Sequence, residues 1–254
     1  MKKWLTFDLD GTIMQNPFVK YVFPEVQRNI IDKCSYEYNV IQELFNEHYL
    51  RVKNKRTVEA YDWDDIVEQH IRKQQLELRI NIEELVEKHS TFPKVYLLED
   101  ESLSVLEYLK ERGYSLAAVT NGFYKYQYPV MRELGLTRYF ERIITPDQVG
   151  YGKPDHRILQ SLTKDGEIIA HIGDRLDDDV QLANAFGIYS VFIYRQLPYH
   201  LLIIKADQRS KDVEIKKILE SKWKRETQHQ LNSLTESPIP DIIVSSLNEL
   251  KDIW

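Results

Sequence analysis

Two aspartates one residue apart, Asp8 and Asp10, close the apolar run Trp4-Leu5-Thr6-Phe7 and are followed by Gly11 and Thr12. The run is short, bulky and bounded by a turn signal, so it reads as a buried strand. With only Leu9 between them, the two carboxylates fall on one face of that strand. Buried carboxylates cost free energy unless something compensates them, and two on one face call for a cation. Three later stretches carry the same kind of chemistry. Thr120-Asn121-Gly122 ends the apolar run Ser115–Val119. Gly152-Lys153-Pro154-Asp155 forms a turn after Arg142–Thr145. Gly173-Asp174, followed by Asp177, Asp178 and Asp179, ends Glu167–Ile172. If Asp8, Asp10, Asp174 and one of Asp178 or Asp179 share a crevice, each raises the pKa of the others. A hard divalent cation with oxygen ligands resolves that repulsion, and Mg²⁺ is the usual choice beside a phosphate. Lys153 adds a positive point charge, and Thr12 and Thr120 add hydroxyls. The set suits a tetrahedral, multiply charged anion.

The elements that must position these residues follow from the pattern. From residue 92 onward strand and helix signals alternate, with Gly113, Gly135 and Gly187 closing helices. Strands separated by helices of this length indicate βαβ units and a parallel sheet apolar on both faces. The expected fold is α/β, a doubly wound parallel sheet, in which ligands bind beyond the carboxyl ends of the strands. Between Pro17 and His89 there is not one glycine and no strand alternation. Apolar stripes such as Ile41, Leu44, Phe45, His48 and Tyr49 have helical spacing. The sequence therefore predicts an inserted α-helical cap of about four helices over 17–89, with 1–16 and 90–254 forming the α/β core. A charged helical insertion breaks the core at about 197–240, strongest over Lys205–Leu234. A strand, Asp241–Val244, and a last helix, Leu247–Trp254, complete it. Lys153 leads into a helix expected to run to about Leu162.

Taken in order, Asp8-Leu9-Asp10-Gly11-Thr12, Val119-Thr120-Asn121-Gly122, Gly152-Lys153-Pro154-Asp155 and His171-Ile172-Gly173-Asp174 resemble the four motifs of the haloacid dehalogenase-like hydrolase superfamily. The resemblance covers roughly residues 2–16 and 93–194. The helical insert after the first motif resembles the cap of one branch, that of small-molecule phosphatases. The resemblance implies a Rossmann-like core and a Mg²⁺-dependent phosphatase for small phosphomonoesters, of nucleotide or sugar phosphate type. Asp8 would be the nucleophile, forming an aspartyl phosphate. Asp10 would be the general acid and then the base. Thr120 and Asn121 would bind the phosphoryl group, and Lys153 would hold phosphate and nucleophile. Asp8, the backbone carbonyl of Asp10, Asp174 and a further acid, Asp179 ahead of Asp178, would hold the metal. Family members that cleave carbon–halogen bonds lack an acid at the position of Asp10, so its presence favours phosphate esters. A sugar-phosphate mutase, a 2-haloacid dehalogenase and a non-catalytic protein of the same fold are the alternatives.

Composition narrows the partners. A formal charge of −6 over 254 residues gives no reason to expect a nucleic acid polymer or an anionic membrane. The single cysteine, Cys34, excludes an intrachain disulfide and fits a cytoplasmic protein. No apolar stretch is long enough for a signal peptide or membrane span. The Lys205–Leu234 stretch reads as a solvated amphipathic helix, with a homodimer contact or a lid as its alternative roles. Among nearby polar residues, His171 reads as a packed core imidazole, Arg175 as a local ion-pair partner and Asp177 as a solvated acid. His48, His70 and His89 show no metal-ligand spacing. Asp62 or Asp64 reads as a helix N-cap, with Trp63 packed inward or touching substrate.

Overall fold

The computed structural model of the protein describes residues 1–227 and 238–254. Its centre is strand β1 (Lys2–Phe7). Also in the main sheet are β4 (Ser115–Val119), β5 (Arg142–Ile144), β6 (Gly166–Gly173), β7 (Tyr189–Ile193) and β8 (Ile242–Val244). The order is β5-β4-β1-β6-β7-β8, with every neighbouring pair parallel. The chain winds outward from β1 to β4 and β5, then crosses to β6 and winds the other way. The strand order thus reverses beside β1, the place where open α/β sheets bind ligands. Register sets the edge: Phe7 pairs with Ala118 on one side and Ile172 on the other. Asp8, Thr120 and Asp174 consequently leave the sheet side by side.

Side chains of β1 alternate between two packed layers, as a strand buried on both faces requires. Leu5 and Phe7 join the larger core, while Trp4 packs with Ala117, Val119 and Leu162 on the other face. Helices α6 (Ser102–Glu111), α7 (Tyr124–Glu133) and α9 (Gln181–Phe186) cover the faces. A small antiparallel pair, β2 (Met14–Gln15) with β3 (Tyr96–Leu97), stands where the chain leaves and re-enters the sheet region. It and the short helix α8 (Pro146–Val149) are too brief to give a periodic signal.

The regular elements between β2 and β3 are all helical. A π-helical turn at Phe18–Val22 runs into α1 (Phe23–Ile31). Helices α2 (Val40–Lys53), α3 (Thr57–Ala60), α4 (Trp63–Lys73) and α5 (Ile82–His89) follow. Asp62 is the cap of α4, accepting from Asp65 N at 3.2 Å. The apolar faces of these helices merge with the larger core of the sheet layer. Polar contacts reinforce the seam: Asp64 accepts from Tyr126 Oη (2.9 Å) and Lys125 Nζ (2.6 Å), both on α7.

Two expected helices take a different form. After Lys153 the chain makes two 3₁₀ turns, His156–Leu159 and Leu162–Lys164, in place of one α-helix. Ile158, Leu159 and Leu162 are all buried against the sheet, so tertiary packing overrides the helical period. The closing segment Leu247–Asp252 is also 3₁₀. There the Glu249 carboxylate is drawn back to Ser245 N and Oγ and to Arg209. Within the charged insertion the regular part is α10 (Val213–Glu226); the expected continuation to Leu234 lies outside the described residues. Among the described residues no helix is long and apolar enough to cross a membrane.

Candidate active site

A cavity of about 790 Å³ opens at the carboxyl edge of the sheet. Its floor includes Asp8, Asp10, Thr120, Asn121, Lys153 and Asp174, one wall is aromatic, and a third side comes from α10. Asp8, Asp10, Thr120, Asn121 and Asp174 follow strand ends, and Lys153 lies in the turn after α8. The Asp8 amide still belongs to the sheet, donating to Ile172 O at 2.8 Å. Its carboxylate is nearly buried and meets Lys153 Nζ at 2.5 Å and Thr12 Oγ1 at 3.0 Å. Thr12 is fully buried and lies 3.3 Å from Asp174 Oδ1. Its one hydroxyl proton is committed to Asp8, so in this arrangement it orients carboxylates and is not part of the cavity lining. Gly11 adopts φ +85°, and a Cβ there would lie 2.8 Å from Asp174 Oδ2. Only glycine lets the first turn pass so close to that acid.

Lys153 is held from both ends. Its backbone N–H donates to Asn121 Oδ1 at 2.7 Å, and its carbonyl accepts from Asn121 Nδ2 at 3.1 Å. Its ammonium also meets Asp179 Oδ1 at 2.6 Å. Behind Asp179 stands His171, with Nε2 at 2.9 Å from the same oxygen and Nδ1 2.9 Å from Thr6 Oγ1. Burial lowers the His171 pKa. Thr6 Oγ1 in turn donates to Ala170 O at 3.0 Å, so both ring nitrogens sit in a buried hydrogen-bonded chain that runs from Asp179 to the β6 backbone. His171 is therefore a hydrogen-bonded core imidazole, as its position in the strand suggested.

The charges do not balance. Oxygens of Asp8, Asp174 and Asp179 lie within 4.8 Å of one another, and Lys153 bonds two of the three, Asp8 and Asp179. Burial and the neighbouring acids raise the pKa of Asp8 and Asp174. Burial also opposes ionisation of Asp179, but Lys153 and His171 outweigh it and hold that carboxyl below its ordinary range. Burial works against Lys153 too, and Asp179 and Asp8 more than offset it, raising its pKa. An all-oxygen cluster of three carboxylates that repel one another fits a hard divalent cation. Asp178 stands apart: it pairs with Arg175 Nε at 3.2 Å, and burial pushes its carboxyl up to about 7. Asp177 pairs with Arg175 Nη2 at 2.6 Å.

Asp10 occupies a different environment from Asp8. Its Oδ2 accepts from Gln127 Nε2 at 2.6 Å, while its Oδ1 is buried with no partner within hydrogen-bond geometry among the described residues. Burial raises its pKa, with Gln127 and Asn16 opposing. Thr120 Oγ1 accepts from Gly122 N at 3.2 Å and lines the cavity. Asn121 additionally donates to Tyr61 Oη at 3.3 Å, tying the floor to the helical segment.

Several residues of this site carry no sequence signal. Gln127 is one. Arg195 is another: from the end of β7 it donates to Gly11 O at 2.8 Å and Thr12 O at 2.6 Å, with Glu99 behind it. The aromatic wall is formed by Phe18, Phe23, Phe45, Tyr49, Tyr61 and Trp63, with His48 among them. Trp63 is 8% exposed and packs against Phe23 and Phe45 at ring distances of 4.8 and 5.7 Å; it both packs inward and faces the cavity. None of the three histidines of this segment faces a metal-ligand set: His48 meets Ala60 O, His70 meets Tyr38 Oη, and His89 meets Glu25.

The comparisons with known proteins agree with this geometry. A family model for haloacid dehalogenase-like hydrolase matches residues 2–187. The glyceraldehyde 3-phosphate phosphatase of Methanocaldococcus jannaschii is 26% identical over 203 residues, covering 77% of this chain and 86% of the relative. The phosphoserine phosphatase of Thermus thermophilus is 32% identical over 118 residues, 45% of this chain and 47% of that protein. In fold, a HAD phosphatase from Thermococcus onnurineus superposes with a TM-score of 0.68 at 24% identity, covering 100% of this chain and 97% of that one. The L-2-haloacid dehalogenase from Xanthobacter autotrophicus reaches 0.59 at 15% identity, covering 100% and 98%.

Proposed function

Because the chain belongs to the haloacid dehalogenase-like hydrolases, we propose that it is a phosphatase that cleaves small phosphomonoesters through an aspartyl phosphate on Asp8. The observation that carries this reading is Asp10: a half-buried carboxyl held by Gln127 through one oxygen, with no hydrogen-bond partner for the other among the described residues, lining the same cavity as Asp8 and Lys153. A carbon–halogen bond needs no proton donor on its leaving group, whereas an alkoxide does. The dehalogenase neighbours share the fold at 15% identity, which says nothing of the chemistry.

In this reading the Asp8 carboxylate attacks phosphorus while Asp10, protonated, gives its hydrogen to the departing ester oxygen. Gln127 fixes the Asp10 carboxyl by its Oδ2 and leaves Oδ1 for that transfer. Once the alcohol has left, Asp10 is a carboxylate and takes a proton from water, which attacks the aspartyl phosphate and regenerates Asp8. Lys153, Thr120 and the amide groups after Thr120 offset charge on the phosphoryl oxygens, the largest effect expected in phosphoryl transfer. Asp8, the Asp10 carbonyl, Asp174 and Asp179 are the residues that would hold Mg²⁺. That ion, when bound, neutralises the excess carboxylate charge and polarises the phosphoryl group. Asp179 already bonds Lys153, His171 and the Arg175 amide, so it holds the others in place as much as it binds. The helical segment 17–89 shields the reaction and meets the leaving group.

The test is phosphate release across a panel of nucleotides, sugar phosphates and short organic phosphates, with Mg²⁺ and with EDTA. Turnover of at least one ester that EDTA abolishes is expected. Halide release from 2-haloacids without metal, or isomerisation of a sugar phosphate without phosphate release, would overturn it.

A further inference from the structure

The charged insertion is not appended beside the site; it is bolted to the acidic loop. On α10, Ile215, Leu219 and Trp223 are buried against Leu176 and Val180, which belong to the π-helical turn Leu176–Val180. One turn past Trp223, Glu226 reaches that turn. Its Oε2 accepts from the Leu176 backbone N–H at 2.8 Å and lies 3.3 Å from the Asp177 N–H. These are amides at a helix start, which have no partner within the helix. The carboxylate is 7% exposed, and Lys222 Nζ stands 3.0 Å from its other oxygen. The same short loop carries Asp174 and Asp179, and the Arg175 N–H between them donates to Asp179 Oδ2 at 3.0 Å. The shape of the loop thus rests on two carboxylates, Asp179 from within and Glu226 from the insertion.

We propose that Glu226 is a positioning residue: by holding the Leu176 and Asp177 amides it keeps Asp174 and Asp179 in the arrangement that receives the divalent cation, and so couples the insertion to metal binding. Glu226 lies at the α10 side of the cavity, and its role is assigned through the loop amides it holds. Truncating it removes the acceptor that the Leu176 and Asp177 N–H groups share, and with it the tie that fixes the loop to α10. Groups that orient metal ligands in this way typically govern affinity by about 10- to 100-fold. Coupling is reciprocal, so metal binding steadies α10 as α10 steadies the loop.

This inference rests on the divalent-metal part of the proposed function, and its test does not need turnover. Mg²⁺ binding is measured by titration calorimetry on the full chain, the Glu226→Ala and the Glu226→Gln variants. Hydrogen exchange is followed with and without Mg²⁺. In Glu226→Ala the Mg²⁺ dissociation constant should rise about tenfold or more. The Leu176 and Asp177 amides should exchange faster without metal, and activity should recover as Mg²⁺ is raised. Glu226→Gln keeps an oxygen acceptor and should lose only a few-fold in affinity. In the parent, Mg²⁺ should slow exchange along 213–226. A residue that merely stabilised the fold would lower the melting temperature and leave the Mg²⁺ constant alone. An unchanged constant in folded Glu226→Ala overturns the proposal. If that variant does not fold, an unchanged constant and unchanged exchange in Glu226→Gln overturn it. A parent that binds no Mg²⁺ overturns the coupling together with the metal assignment. A parent that binds Mg²⁺ but hydrolyses no phosphate ester removes the phosphatase reading and leaves this one standing.

Discussion

The floor and the aromatic wall of the cavity are built by opposite means. On the floor, Asp8, Lys153, Asp179 and His171 hold one another through bonds of 2.5–2.9 Å, all buried. Such bonds are directional, and in a low-dielectric site each fixes the next. Opposite them, Phe18, Phe23, Phe45 and Trp63 meet through tilted and edge-on ring contacts at 4.8–6.3 Å. Those contacts bury area and tolerate change in shape. A network of charges set at fixed points suits a transition state whose charge is always in the same place. A deformable aromatic surface suits the part of a substrate that differs from one ester to another. The floor should therefore govern the rate of chemistry, and the wall the choice of ester.

The largest effect expected on the floor is that of Asp8→Asn. It removes the proposed nucleophile while keeping the size and an oxygen for Thr12. Phosphate release should fall by about 10⁴-fold or more, with the melting temperature and circular dichroism of the parent retained. Residual turnover near the parental rate would remove Asp8 from the mechanism and the floor from its role.

Asp10→Asn should divide substrates by their leaving group. An alkyl phosphate needs its departing oxygen protonated and should slow by about 10²–10⁴-fold. An activated aryl phosphate leaves without that help and should slow far less. Equal losses on both esters would show that Asp10 acts some other way, for instance through its contact with Gln127.

The floor was legible in the sequence because its residues sit where chain direction is locally encoded. Asp8, Thr120, Asp174 and Lys153 each follow an apolar run or a glycine turn, and parallel register delivers such ends to one edge. The supporting groups were not legible. Gln127 bonds Asp10 across 117 residues, Arg195 reaches Gly11 across 184, and Glu226 caps Leu176 across 50. Each is a polar residue on or beside a regular element, where a solvated face is the ordinary reading. Nothing local says that its partner will be there. Apart from Trp63, the wall was legible only as helices rich in aromatic residues. Which rings face the cavity depends on how α1, α2 and α4 cross one another, and period alone does not specify that. The 3₁₀ turns after Lys153 had the same origin: burial of Ile158, Leu159 and Leu162 decided the backbone.

Gly173→Ala tests how little slack the floor has. A Cβ at Gly173 would lie 2.1 Å from Asp179 Cγ, so Asp179 must move and take Lys153 with it. Overpacking of this kind costs about 1–3 kcal/mol, read as a lower melting temperature, and turnover should fall with it. An alanine variant of parental stability and rate would mean that the floor is as adaptable as the wall, and the contrast would lose its basis.

Tyr49→Ala probes the wall at its least buried ring. Tyr49 is 43% exposed, stacks on Phe45 at 6.1 Å and lines the cavity without touching any floor carboxylate. Its removal should leave kcat for a short alkyl phosphate unchanged, because such an ester does not extend to the wall. For an ester with a bulky leaving group KM should rise by up to about tenfold, the worth of one lost apolar contact in a pocket. The ratio of the two kcat/KM values is the informative quantity, since differences in protein concentration or folded fraction cancel in it. A fall in kcat of equal size for both esters would mean that the ring helps to hold the floor in place. The wall and floor would then be one unit, and ester choice would have to be sought on the α10 side of the cavity, where Lys222 and Arg225 line it.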